Sequence, residues 1–254
     1  MNTTSQPSSG RPGLLSRLGR NELHLLLWLL VIAAGLWGFM ELADAVFDKD
    51  TLWLDETLLL ALRAPQDLSD PIGPKWVEEL GRDFTALGGM GVLTLLTGMV
   101  SLYLALGRRY RAMVFVLVAI GGGMGLSFAL KYIFSRPRPD LVPHASHVYT
   151  SSFPSGHSMM AAVTFLTLGA LLARQVERRR LKAYFILMAL LLTVCVGVSR
   201  VYVGVHWPTD VLAGWTVGAI WAIACSTLAH QLQRHGEMER PAPDLEEQPD
   251  LSAS

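Results

Sequence analysis

Six long apolar runs separated by polar stretches dominate the chain between residues 23 and 229. Each run approaches the roughly 20 residues that an α-helix needs to cross the hydrocarbon core of a bilayer. We therefore predict an all-α fold, a polytopic membrane helical bundle with six transmembrane helices. The predicted spans are residues 23–42, 86–106, 112–134, 158–173, 183–199 and 211–229.

The first apolar run also permits a second interpretation, a cleaved signal peptide, because Ala43-Asp44-Ala45 resembles a cleavage site. The run is longer than the roughly 7–15 apolar residues of a signal peptide, which favours a retained span. Trp28 and Trp37 within it also suit the aromatic positions found near membrane surfaces or in helix packing.

The polar stretch 43–85 contains two short amphipathic segments, residues 52–62 and 76–80, with three prolines between them. Because proline interrupts helices, we predict two separate short helices that lie at the membrane surface. In the last span, Gly214 and Gly218 have the spacing that permits close helix packing in lipid. A tolerated glycine pair without a packing role is the alternative.

The two ends of the chain differ in composition from its middle. Residues 1–22 are rich in Ser, Gly, Pro and Arg, and residues 233–254 are acidic and contain prolines. Neither end has enough apolar surface to bury, so both are predicted to be disordered tails. Residues 23–232 then form a single membrane domain.

Composition agrees with a membrane protein, since 51% of the residues are hydrophobic. The chain has 21 basic and 21 acidic residues, so no net charge favours binding to nucleic acid. Cys195 and Cys225 lie inside apolar runs without CxxC spacing, which indicates neither a disulfide framework nor a zinc site. The expected partner is therefore the bilayer and its lipids.

Lysine and arginine counts predict the orientation. Cytoplasmic termini would leave 13 basic residues inside and 8 outside, and four of those eight lie in polar clusters of the kind that carries chemistry. With these four set apart, 13 basic residues lie inside and 4 outside, which follows the positive-inside rule. We predict a multi-pass protein of the cell (inner) membrane whose polar clusters face the outer, periplasmic side. The four basic residues set apart are Lys131, Arg136, Arg138 and Arg200.

The first polar cluster, residues 131–139, follows the third span and carries three cations. Arg136 and Arg138 each precede a proline, which favours an extended backbone. Arginine grips phosphate oxygens with paired hydrogen bonds, and Lys131 adds a compact charge. Basic residues near span ends also reach lipid headgroups, and Arg136 suits either substrate or headgroup contact.

The second cluster, Pro154-Ser155-Gly156-His157, directly precedes the fourth span. The free backbone amides at a helix start favour an anion, and Gly156 permits close approach of a phosphate. His157 lies where it can donate a proton to a departing oxygen. Such a string also serves as a plain helix cap, so its meaning depends on the neighbouring clusters.

The third cluster contains Arg200, His206 and Asp210 around the start of the sixth span. The spacing lets the carboxylate reach an imidazole N–H, which fixes the tautomer and leaves the other nitrogen free to attack phosphorus. An N-cap aspartate beside an interfacial histidine is the alternative. His144 and His147 have metal-like spacing without an acidic or cysteine partner, and a solvated loop is the better interpretation.

Together these clusters resemble the three-part signature of the type-2 phosphatidate phosphatase (lipid phosphate phosphatase) superfamily, in its bacterial integral-membrane branch. The residues that carry the resemblance are Lys131-x6-Arg138-Pro139, Pro154-Ser-Gly-His157 and Ser199-Arg200-x5-His206-x3-Asp210. The resemblance implies that His206 is the nucleophile, His157 the acid and then base, and Asp210 the group that orients His206. It further implies phosphate binding by Lys131, Arg138, Ser155, Gly156 and Arg200, with no metal or cofactor.

We therefore expect a lipid phosphatase acting on undecaprenyl diphosphate, phosphatidylglycerophosphate or phosphatidate. The segments 52–62 and 76–80 are expected to border the path by which the lipid arrives. A vanadium-dependent haloperoxidase-like enzyme is the first alternative, although six spans are unlike the soluble bundles of that branch. The second alternative is a non-catalytic lipid-phosphate binding or transport protein, against which the retained histidines and Asp210 argue.

Overall fold

The computed structural model of the protein describes residues 20–141 and 151–234. Within these residues it contains eight helices and one small hairpin, so the predicted all-α fold is confirmed apart from the hairpin. The helices are α1 Arg20–Phe47, α2 Leu52–Leu60, α3 Lys75–Leu87, α4 Met90–Leu106, α5 Tyr110–Ile133, α6 Gly156–Arg174, α7 Arg179–Tyr202 and α8 Pro208–Arg234. The hairpin strands are β1 Arg63–Ala64 and β2 Asp67–Pro71.

Among the described residues, helices α1, α5, α6, α7 and α8 are each long and apolar enough to cross a membrane. Helices α3 and α4 meet at an angle of 52° and together qualify as a sixth span. The sequence predicted one continuous helix over residues 86–106, which the structure instead breaks at Gly88 and Gly89. A Cβ on Gly88 would lie 2.4 Å from Val196 and 3.2 Å from the His157 carbonyl oxygen. The chain therefore bends where it passes close to the start of α6.

The short segments between the first two spans are more ordered than predicted. Helix α2 matches the first predicted segment, whereas α3 has 13 residues where the pattern indicated about one turn. The intervening β-hairpin was not predicted. Arg63 Nη2 donates to the Tyr202 carbonyl oxygen (2.9 Å), and the Tyr202 hydroxyl donates to the Ile72 carbonyl oxygen (2.8 Å). Contacts with the distant end of α7 thus hold the hairpin, which local sequence does not reveal.

Helix α6 is the central element of the bundle. It packs against α5, α7 and α8, and its residues from Ser158 to Phe165 are all buried. A Cβ on Gly214 of α8 would lie 2.6 Å from the Ser155 carbonyl oxygen, and one on Gly218 would lie 2.6 Å from that of Met159. These two glycines therefore permit the close packing of α8 on α6 that their spacing predicted.

Four phenylalanine rings join α1 to the segments that flank α6. Phe39 and Phe47 of α1 contact Phe134 and Phe153, with ring centroids 5.6 to 5.9 Å apart. Such pairs add about 0.5–1.5 kcal/mol each beyond simple burial. The cluster fixes the backbone on both sides of the first two polar clusters.

The two ends of the bundle differ in character. At one end, Arg109 Nη1 donates to Gln175 Oε1 (3.0 Å), which joins the turn after α4 to the end of α6. The same end of α6 lines an apolar cavity of about 830 Å³ together with His24 and His230. The three polar clusters lie together at the opposite end, as the alternation of spans predicted.

Candidate active site

The three polar clusters meet around a cavity of about 410 Å³. Six of the eight predicted site residues line it, namely Lys131, Arg138, Gly156, His157, Arg200 and His206. The rest of the wall is largely apolar and includes Met90, Met124, Phe128 and Met160. The bend between α3 and α4 contributes Thr85 and Gly88. Neither predicted surface segment, 52–62 or 76–80, is among the described lining residues, and α3 contributes only Thr85 from beyond the second segment.

Three basic side chains give the cavity a strongly positive wall. Lys131, in the last turn of α5, donates from Nζ to the Ser151 carbonyl oxygen (2.9 Å). Arg138 donates from Nη1 to the Val205 carbonyl oxygen (2.7 Å). Arg200, in the last turn of α7, has only 4% of its surface exposed, and its Nε has no hydrogen-bond partner in the described part of the chain. Among the described residues that line the cavity, none is acidic.

The start of α6 faces the cavity with its positive end. The backbone at Gly156 passes close to Lys131, because a Cβ added there would lie 3.1 Å from Lys131 Cε. The amides of Gly156 and His157 belong to the first helical turn, where no intrahelical acceptor is available. The helix dipole adds partial positive charge at the same place.

Ser155 differs from the other predicted phosphate-binding residues because it is fully buried and lies outside the described cavity wall. Its amide donates to the Asp210 carbonyl oxygen (2.9 Å), and its hydroxyl oxygen accepts from the Ser158 amide (3.5 Å) and hydroxyl (2.9 Å). Both backbone and side chain are thus used to cap α6 and join it to α8. Ser155 therefore shapes the site rather than offering its own amide to a ligand.

His206 lies between α7 and α8 with 1% of its surface exposed. Its Nε2 lies 3.2 Å from Arg138 Nη1. A guanidinium can only donate, so Nε2 accepts this hydrogen bond and the imidazole proton is on Nδ1. Nδ1 lies 3.4 Å from Asp210 Oδ2, which can accept that proton.

Burial lowers the pKa of His206 to about 4, against the raising effect of the hydrogen bond and charge of Asp210. Cationic Arg138 and Arg200 lower the pKa further. The ring is therefore neutral at physiological pH. Its unprotonated nitrogen faces the cationic cavity.

Asp210 is fully buried in the first turn of α8. Besides His206 it accepts hydrogen bonds from the Trp207 amide (3.0 Å), the Ser152 hydroxyl and Arg136 Nη1 (2.5 Å). The structure thus brings this predicted residue beside the imidazole, although not into the cavity wall. A carboxylate with so many donors is held in one orientation.

The sequence suggested that Arg136 contacts substrate or lipid headgroups, but Arg136 is buried and lies outside the described cavity wall. Its side chain is 8% exposed and forms ion pairs with Asp55 (2.7 Å) and Asp210 (2.5 Å). Asp55, on α2, is fully buried and also binds Thr209. Sequence reasoning missed Asp55, Thr209 and Ser152. The available signal was the single aspartate among the leucines of α2, which needs a partner if that face is buried.

Some predictions concern residues outside the described part of the chain. These are the loop histidines His144 and His147 and the two tails beyond residues 20 and 234. Their interpretation therefore stays a prediction. His24 and His230 lie at the other end of the bundle, away from the three polar clusters.

The fold and the site together define a polytopic helical membrane enzyme with a cationic cavity and two histidines. The sequence profile described as PAP2 superfamily matches residues 112–234. The chain is 33% identical to phosphatidylglycerophosphatase B of Bacillus subtilis (strain 168) over 186 residues, which are 72% of this chain and 86% of that protein. This protein belongs to the PAP2 superfamily and is a multi-pass membrane phosphatase.

Two further comparisons agree with this assignment. The crystal structure of a transmembrane PAP2 type phosphatidylglycerolphosphate phosphatase from Bacillus subtilis has a TM-score of 0.69 and 27% identity, covering 80% of this chain and 98% of that one. Undecaprenyl-diphosphatase of Sulfolobus acidocaldarius is 31% identical over 115 residues, 43% of this chain and 50% of its own length. These relatives are named as phosphatases, which favours neither the haloperoxidase nor the non-catalytic alternative.

Proposed function

We propose that this protein hydrolyses the phosphate or diphosphate ester of a membrane lipid through a phosphohistidine intermediate. The position of His206 carries the proposal: Nε2 lies 3.2 Å from Arg138 Nη1 at the cavity, while Nδ1 lies 3.4 Å from Asp210 Oδ2. Nδ1 holds the neutral imidazole against Asp210, while the lone pair of Nε2 accepts the hydrogen bond from Arg138 Nη1. That lone pair becomes free to attack phosphorus when the Arg138 guanidinium turns to the phosphate oxygens.

Lys131, Arg138 and Arg200 bind the non-bridging oxygens of the phosphate, assisted by the amides of Gly156 and His157. The unused buried Nε of Arg200 supports this role, because an unpaired buried donor is costly unless a ligand satisfies it. Three fixed cations neutralise the charge that builds up on the phosphoryl oxygens in the transition state.

In the first step His206 Nε2 attacks phosphorus, the bond from phosphorus to the leaving oxygen breaks, and that oxygen takes a proton from His157. In the second step water attacks the phosphoryl group while neutral His157 accepts its proton. The P–N bond then breaks, inorganic phosphate leaves, and His206 regains its lone pair. Asp210 stabilises the positive charge that the His206 ring carries between the two steps.

The substrate is a lipid of the phosphatidylglycerophosphate, undecaprenyl diphosphate or phosphatidate type. The names of two relatives, a phosphatidylglycerophosphatase and an undecaprenyl-diphosphatase, support the first two types. The apolar part of the cavity wall supports a lipid more generally, since Phe128 and Met90 line the cavity and are also 60% and 43% exposed on the bundle surface. A lipid tail can stay among these side chains while its phosphate reaches the cations.

The test is phosphate release by the purified protein in lipid nanodiscs from each of the three lipid types and from water-soluble p-nitrophenyl phosphate. We expect release from at least one lipid at a kcat/KM well above that for the soluble ester. Release should persist in EDTA, be inhibited by vanadate and be absent in His206→Ala. No release from any of these lipids, or equal release by His206→Ala, would overturn the proposal.

We further propose that the site faces the periplasm and that both termini are cytoplasmic. The excess of Lys and Arg on the other side supports this orientation. In a variant lacking Cys195 and Cys225, Asp140→Cys probes the site end and Arg108→Cys the other end, and both native side chains are exposed. A membrane-impermeant maleimide added to spheroplasts should label only Asp140→Cys. Labelling of Arg108→Cys alone would reverse the orientation.

A further inference from the structure

Asp55 is a fully buried carboxylate on α2, outside the cavity wall. Its Oδ1 accepts a hydrogen bond from the Thr209 amide (2.9 Å). Its Oδ2 accepts from the Thr209 hydroxyl (2.6 Å) and from Arg136 Nη2 (2.7 Å). Burying a charge is costly unless it is paired and hydrogen-bonded, and Asp55 meets both conditions with residues that adjoin the nucleophile.

Arg136 connects this carboxylate to Asp210. Its Nη1 donates to Asp210 Oδ1 (2.5 Å) and to Thr209 Oγ1 (2.9 Å), and its Cζ lies 5.5 Å from the centre of the Trp207 ring. One guanidinium thus binds two buried carboxylates in the fork geometry that only arginine offers. Oδ1 of Asp210 is held by Arg136, which leaves Oδ2 for His206, Ser152 and the Trp207 amide.

We propose that Asp55 is a positioning residue for phosphoryl transfer, acting through Arg136 and Thr209 to fix the Asp210 carboxylate that orients His206. This inference rests on the proposed function, because it assigns the nucleophile to His206. Asp55 also binds the first turn of α8 to α2. The membrane-surface helix is therefore coupled to the nucleophile although it does not touch the cavity.

The first test compares Asp55→Asn with wild type in lipid nanodiscs. The amide keeps the shape of the side chain but removes the charge that holds Arg136, so the Asp210 carboxylate loses its fixed orientation. We expect kcat to fall about 10–100-fold, the range found when a residue that orients a functional histidine in a metal site is replaced, with KM nearly unchanged. Glu56→Gln is the matched control: it removes the same charge from the next residue of α2, which takes no part in this network, and should leave kcat unchanged.

A second readout distinguishes positioning from simple loss of stability. The charged and titratable groups around His206 are Asp210, Arg138, Arg200 and His157. In Asp55→Asn, Arg136 pairs with Asp210 alone, so Asp210 stabilises the His206 imidazolium less than in wild type. The pKa of His206 should fall, and the acid limb of kcat/KM should move to lower pH. In Arg136→Gln a cation beside Asp210 is lost, so the limb should move to higher pH.

Folding of each variant is checked by size exclusion and thermal unfolding. If Asp55→Asn does not fold, Arg136→Lys provides the same test, because lysine keeps the charge but lacks the fork that binds both carboxylates; it should lose kcat by a similar factor. A folded Asp55→Asn or Arg136→Lys with wild-type kcat, or acid limbs that move in the same direction in Asp55→Asn and Arg136→Gln, would overturn the inference and leave the proposed function intact. An inactive wild-type protein would instead overturn the proposed function and this inference with it.

Discussion

At the scale of single residues, the cavity cations differ in how their side chains are satisfied. Lys131 and Arg138 each donate to a backbone carbonyl oxygen, whereas the buried Nε of Arg200 has no partner in the described chain. A buried cation of this kind is pre-organised for an anion, since little of its surroundings must rearrange on binding. Arg200 is therefore the cation whose loss should affect catalysis most.

We expect Arg200→Gln to lower kcat by about 10²–10³-fold, the usual effect of removing one donor that stabilises developing negative charge. The measurement is lipid phosphate hydrolysis at saturating substrate. Arg174→Gln is the matched control, because Arg174 is likewise an arginine in the last turn of a helix and donates a hydrogen bond to the Ser226 carbonyl oxygen, but it is half-buried and lies at the other end of the bundle. Equal losses in the two variants would show that the effect of Arg200 is structural.

The protonation state of His206 leads to a prediction on pH. Because burial lowers the pKa of His206 to about 4, the ring keeps its attacking lone pair down to acidic pH. The acid limb of kcat/KM should lie near pH 4, with about a tenfold loss per pH unit below it. Asp210→Asn should move the acid limb lower, since Asp210 raises the pKa of His206.

The same pKa shift affects stability with a defined sign. The folded-state pKa of about 4 lies below the unfolded value of about 6.5, so the unfolded chain binds the proton more readily. The contribution of His206 to stability is thus complete above pH 6.5 and declines as the pH falls from there toward 4. For the rate profile, a kcat/KM that stays flat from pH 3 to 9, or an acid limb at the ordinary histidine pKa of about 6.5, would contradict a lowered pKa of His206.

At the scale of helices, the sequence indicated where the chain crosses the membrane but not how its short segments pack. Leu59 belongs to a segment predicted to face the membrane, yet it is fully buried against Val201, Trp207 and Val211. The periodicity of nine residues does not tell which face of α2 turns inward, because that depends on the distant partners of Asp55. The path for lipid is therefore better sought at α4 and α5, where Met90 and Phe128 border the cavity.

We expect Phe128→Asn to raise KM for a long-chain lipid about tenfold, equivalent to about 1.4 kcal/mol of lost apolar contact, and to leave hydrolysis of p-nitrophenyl phosphate unchanged. Leu117→Asn is the control. Leu117 is exposed on the same helix but is not among the cavity residues, so both substrates should be hydrolysed as in wild type. Equal effects of Phe128→Asn on the two substrates would rule out a role in lipid access.

At the scale of the whole molecule, the six spans and the meeting of the three polar clusters were predictable from the sequence. Span length and alternation decide which loops share a membrane face, and this brought His157, Arg200 and His206 to one end. The supporting contacts were not predictable. Asp55 lies 81 residues before Arg136 and 154 before Thr209, so its role depends on tertiary packing that no local pattern encodes. The bend at Gly88 likewise follows from the position of α6.

Trapping of the phosphorylated intermediate tests the central claim most directly. Wild-type protein in nanodiscs is mixed with ³²P-labelled lipid phosphate, quenched in alkali within milliseconds to seconds and mapped by mass spectrometry. We predict acid-labile phosphate on Nε2 of His206, none in His206→Ala, and labelling of His157→Ala by dinitrophenyl phosphate, whose leaving group needs no proton. Label on another residue, or equal label in wild type and His206→Ala, would contradict the account.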